Sequence, residues 1–122
     1  MTGQLPPTVL VIEDDLEVLG IIRAHLVGAG YRVLVAAGGE IGLELARTQP
    51  VDLITLDLLM SPLDGCEVFD QLRADVATRN IPVVLVTVAD ALASDMDAEG
   101  LVSKPFVGRR LLAEVRRLVT LS

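Results

Sequence analysis

The chain has 122 residues, the length of one domain, and a chain of that size buries roughly two-thirds of its unfolded surface, enough for a core without disulfides or a structural metal. Hydrophobic residues make up 52% and charged residues 22%, with a mean hydropathy of +0.57; this excludes disorder, collagen and coiled coil, while no apolar run approaches the roughly 18 residues of a membrane span. A net charge of −7, from 17 acids against 10 bases, argues against nonspecific nucleic-acid binding and anionic membrane surfaces, and 2% aromatics with no Trp argue against a base-stacking platform.

Residues 1–7 form a polar lead ending in Pro6-Pro7, followed by one domain over residues 8–122. Thr8 to Ile12 (TVLVI) reads as a first strand. Leu16, Leu19, Ile22 and Leu26, with Ile21 alongside, make the expected apolar face of a first helix, stopped by Gly28-Ala29-Gly30. Tyr31 to Val35 alternates as an edge strand does. Gly39 to Thr48 is a helix, with Ile41, Leu45 and Leu43 as candidate inward residues, and Pro50 ends it. Asp52 to Leu56 is the third strand, Met60 to Gly65 a loop, and Cys66 to Asp75 a helix carrying Val68, Phe69 and Leu72. Ile81 to Thr87 is the fourth strand, Asp90 to Asp97 a short helix, and Leu101 to Ser103 a short fifth strand. Val107 to Leu121 closes the chain as a helix with Leu111, Leu112, Val115, Leu118 and Val119 inward. Five β–α units of this kind predict an α/β, doubly wound parallel sheet with helices on both faces.

Ligands of open α/β sheets bind at the carboxyl ends of the strands, so the residues that follow each strand matter most. They are Glu13-Asp14-Asp15, then Asp57, then Thr87 at the end of its own strand, then Lys104 before Pro105. Helix capping by Asp14, with Glu17 three residues on, accounts for one or two of these acids. It leaves Asp57 unexplained. Several carboxylates at one rim repel unless a cation joins them, and Mg²⁺ takes one or two carboxylates plus water and phosphate oxygens. A carboxylate beside such a metal can accept a phosphoryl group. Thr87 fits ordinary strand propensity and equally a donor to a phosphoryl oxygen. Lys104 is the one lysine beside nine arginines, and a compact ammonium suits a single phosphoryl oxygen better than a planar fork.

Together VLVIEDD, DLITLDLLM, PLDG, PVVLVT and SKPF resemble, in order and at strand ends, the receiver domain of bacterial two-component response regulators, from about Val9 to Leu121. The resemblance implies a flavodoxin-like fold with strand order 2-1-3-4-5. It implies that Asp57 accepts a phosphoryl group from a phosphohistidine of a sensor histidine kinase or histidine phosphotransfer protein. It further implies Mg²⁺ held by Glu13, Asp14, Asp57 and the backbone carbonyl of Leu59, with Asp14 direct and Glu13 mostly through water, and Thr87 and Lys104 gripping the phosphoryl oxygens. The output partner is left open.

Four positions depart from the family pattern. Ser61 stands where a Pro is usual, with Pro62 next; Val88 replaces a small residue after the Thr and is expected to crowd Asp57; Leu101 replaces the switch aromatic. The stretch between Thr87 and Lys104 is short by about five residues, more than one helical turn, so the fourth helix must be stunted or irregular. Leu59 and Ala89, two after the acceptor and two after the Thr, are both apolar, which favours slow self-hydrolysis. These departures keep a phosphorylation-independent interaction module as the rival reading.

Three other features carry no catalytic expectation. Cys66, the one cysteine, excludes an internal disulfide and reads as a small buried apolar residue. His25 suits the end of the first helix. Arg109, Arg110, Arg116 and Arg117 recur seven apart and read as a solvated face. With no basic start and no long apolar stretch behind it, the N-terminus is not expected to be a signal peptide, and a reducing cytoplasm is the expected compartment.

Overall fold

The structure, a computed structural model, describes residues 5–120; the first four residues of the lead and Leu121, the expected end of the last helix, lie outside the described residues. The elements are β1 (Thr8–Ile12), α1 (Leu16–Gly28), β2 (Arg32–Ala36), α2 (Gly39–Thr48), β3 (Leu53–Leu56), α3 (Gly65–Ala74), β4 (Val83–Thr87), α4 (Asp90–Ser94), β5 (Gly100–Ser103) and α5 (Gly108–Leu118). All strand pairs are parallel, in the order β2-β1-β3-β4-β5.

Period-two alternation along the strands divides the core into two layers. Leu10, Ile12, Ile54, Leu56, Val83 and Leu85 face α2 and α3, where Leu43, Val68, Phe69 and Leu72 meet them. Val9, Val11, Leu53, Val84, Val86 and Val102 face α1 and α5, where Ile22, Leu26, Leu111 and Val115 meet them. The three inner strands are buried throughout, as continuous β-branched runs require, whereas β2 at one edge is exposed at Arg32 and Val35.

Two helix faces differ from the sequence reading. On α1, Leu16 is 71% and Ile21 46% exposed while Ile22 and Leu26 are buried. Leu16 stands six residues before Ile22 and Ile21 one before it, which puts each roughly 100–120° round the helix from the buried stripe. On α2, Ile41 is 58% exposed. The buried face there is Gly39, Gly42, Leu43 and Ala46, and a Cβ on Gly42 would stand 2.6 Å from Ile12 Cδ1. Small residues let α2 lie directly on β1, and hydrophobicity does not register a face made of glycine. At Gly108 the same device lets the His25 ring of α1 rest against the start of α5.

The fourth helix is indeed short, with five residues rather than the eight from Asp90 to Asp97. Met96 and Ala98 after it still pack on the α2–α3 layer. Arg73 of α3 holds this segment. Its guanidinium donates to the carbonyls of Arg79, Ile81 and Asp97 and to both Glu99 carboxylate oxygens, at 2.6 and 2.8 Å, and sits 4.7 Å from the Phe69 ring centroid. Glu99 in turn accepts from the Val83 amide at 2.7 Å.

Thr55, in register with Val11 and Val84 at the sheet centre, is 1% exposed. Among the described residues its hydroxyl is the buried side-chain group without a hydrogen-bond partner. An unsatisfied buried hydroxyl is destabilising, so Thr55→Val should raise stability by about 1 kcal/mol and Tm by about 3 °C. Thermal unfolding followed by circular dichroism checks this; an unchanged or lower Tm refutes it.

Candidate functional site

Backbone hydrogen bonds carry the sheet ladder past the strand ends and bring the four segments together. The Glu13 amide donates to Ala36 O at 3.0 Å, the Asp57 amide to Ile12 O at 3.2 Å and the Lys104 amide to Thr87 O at 2.9 Å. Each residue is therefore held by the strand beside it.

The capping role falls on Asp15, not Asp14. Asp15 is the N-cap of α1, and its Oδ1 accepts from Glu17 N at 3.0 Å and Val18 N at 3.2 Å. An N-cap carboxylate satisfies free amides of the first turn; with Asp15 in that place, Asp14 has no capping duty. Asp64 does the same for α3, accepting from Glu67 N at 2.9 Å. Gly65 follows it. Its amide donates to Leu58 O at 2.9 Å, and a Cβ there would run into the Asp57 carbonyl and Leu58 Cα. Only glycine lets α3 begin against the backbone that carries Asp57. Gly65 stands in the PLDG motif, but a close backbone approach has no signature in hydropathy, so its role is visible only in the structure.

The centre of the site is Lys104. Its Nζ lies 2.7 Å from Glu13 Oε1 and 3.2 Å from Asp57 Oδ2, between two side chains that are almost wholly buried. The remaining oxygens are also engaged: Glu13 Oε2 accepts from Asp15 N and Asp57 Oδ1 from Leu59 N, each at 3.2 Å. Carboxylate oxygens of Glu13, Asp14 and Asp57 lie within 4.8 Å of one another. Burial pushes the Glu13 carboxyl above its usual range and the Asp57 charge adds to this, against the pull of Lys104. Burial acts to lower the Lys104 ammonium, but Glu13 and then Asp57 outweigh it and hold it above the usual lysine value. The Glu13 contribution to stability is full below the ordinary carboxyl value and falls as pH rises through its raised one, so its ionised form is a cost at neutral pH. The Lys104 contribution is present below the ordinary lysine value and lost only as pH climbs through the raised one.

Two buried carboxylates and the less buried Asp14 against one ammonium leave an excess of negative charge, and hard oxygen donors this close together fit a hard divalent cation. Thr87, fully buried, accepts from the Ala89 amide at 3.1 Å; among the described residues its hydroxyl donates to no acceptor, which leaves its proton for a ligand oxygen. Val88 is 60% exposed, so its side chain stands mostly in solvent at the rim. Leu101 is half-buried and packs on the α2–α3 layer. A cleft of about 390 Å³ opens beside the acids, between Asp14, Leu59, Met60, Ser61 and Leu92. Cys66 also lines it and is half-buried rather than buried; burial, then Asp64, Asp70 and Glu67, push its thiol up, away from the reactive thiolate.

A five-stranded 2-1-3-4-5 sheet with this acid cluster, a threonine and a lysine at its carboxyl rim is the arrangement of a signalling receiver. The chain belongs to the response regulator receiver domain family, which matches residues 9–116. It is 36% identical over 118 residues to the transcriptional regulatory protein AfsQ1 of Streptomyces coelicolor, covering 93% of this chain and 51% of that protein. It is 32% identical over 116 residues to the alkaline phosphatase synthesis transcriptional regulatory protein PhoP of Bacillus subtilis, covering 91% and 48%. The chain thus spans about half the length of the curated relatives it matches. Among solved structures, chemotaxis protein CheY4 of Vibrio cholerae superposes with a TM-score of 0.85 at 25% identity, covering 93% of this chain and 99% of that one. The receiver domain of the sensor histidine kinase PA1611 of Pseudomonas aeruginosa PAO1, with a magnesium ion coordinated in its active-site cleft, gives 0.86 at 26% identity, covering 93% and 97%. No helix among the described residues is long and apolar enough to cross a membrane.

Removing Lys104 strands two buried carboxylates. Lys104→Met should lower unfolding stability by up to about 3 kcal/mol, and millimolar Mg²⁺ should raise the Tm of the variant more than that of the wild type. A variant as stable as wild type in metal-free buffer would show that the lysine does not neutralise the site.

Proposed function

We propose that this receiver is a phosphorylation-controlled switch whose acceptor is Asp57, with a phosphohistidine of a sensor kinase or phosphotransfer protein as donor. The observation that carries this reading is the placement of Lys104 on both Asp57 and Glu13, with the free hydroxyl of Thr87 on the neighbouring strand. Glu13, Asp14, Asp57 and the backbone carbonyl of Leu59 are the ligands proposed for Mg²⁺, which when bound neutralises charge on the phosphoryl oxygens. The Asp57 carboxylate attacks phosphorus in line. An O–P bond forms, the N–P bond of the phosphoimidazole breaks, and its electron pair returns to the leaving nitrogen. Lys104 and Thr87 each meet a phosphoryl oxygen as charge spreads over the transferring group.

The rim suits a protein donor. Leu16, Leu59, Val88 and Val107 each follow a site segment by a few residues and are 71%, 54%, 60% and 59% exposed. Scattered surface hydrophobes are ordinary, but apolar residues ringing an acidic centre mark an interaction surface. Transfer adds close to two negative charges at Asp57, and Lys104 then trades Glu13 for a phosphoryl oxygen, which moves the loop between β5 and α5.

Incubation with acetyl phosphate and Mg²⁺ should add one phosphoryl mass to the wild type and none to Asp57→Asn. No gain in the wild type, from acetyl phosphate or from a phosphorylated histidine phosphotransfer protein, would leave the phosphorylation-independent module as the reading. Neither Leu59 nor Ala89 has a side chain able to orient water. The phosphoryl half-life of the isolated chain with Mg²⁺ should therefore be minutes or longer; decay within seconds contradicts this.

A further inference from the structure

The arginines of α5 form two pairs spaced seven apart, and the pairs do different things. Arg110 donates to the carbonyl of Leu101 at 3.3 Å and Arg117 to the carbonyl of Glu99 at 2.6 Å. The Lys104 amide faces β4, bonding Thr87 O, so Leu101, three residues before it, turns its carbonyl to the free edge, while Glu99 lies directly before β5. Glu114 lies between the two arginines on the helix and pairs with both at 3.2 Å, fixing their direction. β5 gives them room: a Cβ at Gly100 would stand 2.8 Å from Glu114 Oε1 and 3.5 Å from Arg117 Nη2, so the charged arms lie directly over the strand. On the Glu99 side chain, Arg73 of α3 completes the hold. Arg109 and Arg116 make no ion pair or hydrogen bond to β5 among the described residues.

β5 ends the sheet. The free side of an edge strand offers unpaired backbone groups as a template for pairing with another chain, and a second copy of this chain carries the same edge. We propose that Arg110 and Arg117, steadied by Glu114 and seated over Gly100, close the β5 edge against strand pairing with a second copy of this chain.

The test is sedimentation velocity over a concentration series, on wild type, Arg110→Ala/Arg117→Ala and Arg109→Ala/Arg116→Ala. Both double variants lose two positive charges, so they separate the edge from the net charge. The wild type and the second variant should remain monomeric where the first forms dimers or larger species, and amides of β5 in the first should gain hydrogen-exchange protection as it associates. If the first double variant fails to fold, Arg110→Ala alone decides, since Leu101 O loses its donor while Glu114 keeps Arg117. A first variant, or that single one, as monomeric as wild type overturns the proposal. So does equal association of both double variants, or a wild type already paired through β5. Asp57 takes no part in this test, so its result is independent of the phosphoacceptor reading.

Discussion

A single ammonium between two buried carboxylates sets the terms for this molecule. Glu13 and Asp57 end neighbouring strands whose backbones are hydrogen-bonded to each other, and parallel topology leaves them nowhere else to point than the same rim. Two like charges in that position cost stability unless a cation joins them. Lys104 arrives from the far edge of the sheet to supply it. Its single positive charge does not balance three acids, and that remaining imbalance suits a divalent cation.

The supporting structure keeps the other groups out of that centre's way. Asp15 takes the helix-capping duty, so Asp14 is left beside the cluster. Asp64 caps α3, and Gly65 lets that helix start against the Asp57 backbone. The loop that carries Asp57 is thus fixed by a cap, a backbone hydrogen bond and a close packing contact, none of which uses the Asp57 carboxylate itself. The carboxylate is held separately, by Lys104 and the Leu59 amide.

The strands and the site were legible in the sequence for the same reason. Short β-branched runs form strands in any parallel sheet, and Glu13, Asp14, Asp57, Thr87 and Lys104 stood out because polar residues directly after such runs must meet at one rim. What stayed hidden involves features that periodicity does not encode. The buried face of α2 is built on glycines, so Ile41 misleads. Asp14 and Asp15 are indistinguishable as caps until the helix start is fixed. The length of α4 was readable as a deficit, but not that Arg73 would brace the segment after it. Nor did the spacing of the α5 arginines show that one pair is engaged by β5 while the other is not.

These same bracing contacts bear on how a signal leaves the site. With Leu101 packed on the α2–α3 layer in place of an aromatic ring, no ring can exchange between buried and exposed positions behind Thr87. The beginning of β5 is tied by Arg73, Arg110 and Arg117, while its end leads into Lys104, whose partners change if Asp57 gains charge as proposed above. On that proposal, movement concentrates in the loop from Lys104 through Pro105 and Phe106 to Val107. That loop adjoins Val18 and Ile21 of α1, with which Lys104, Pro105 and Phe106 line an apolar groove of about 280 Å³. On the same proposal, the movement has its shortest route toward α1, rather than across the five-residue α4.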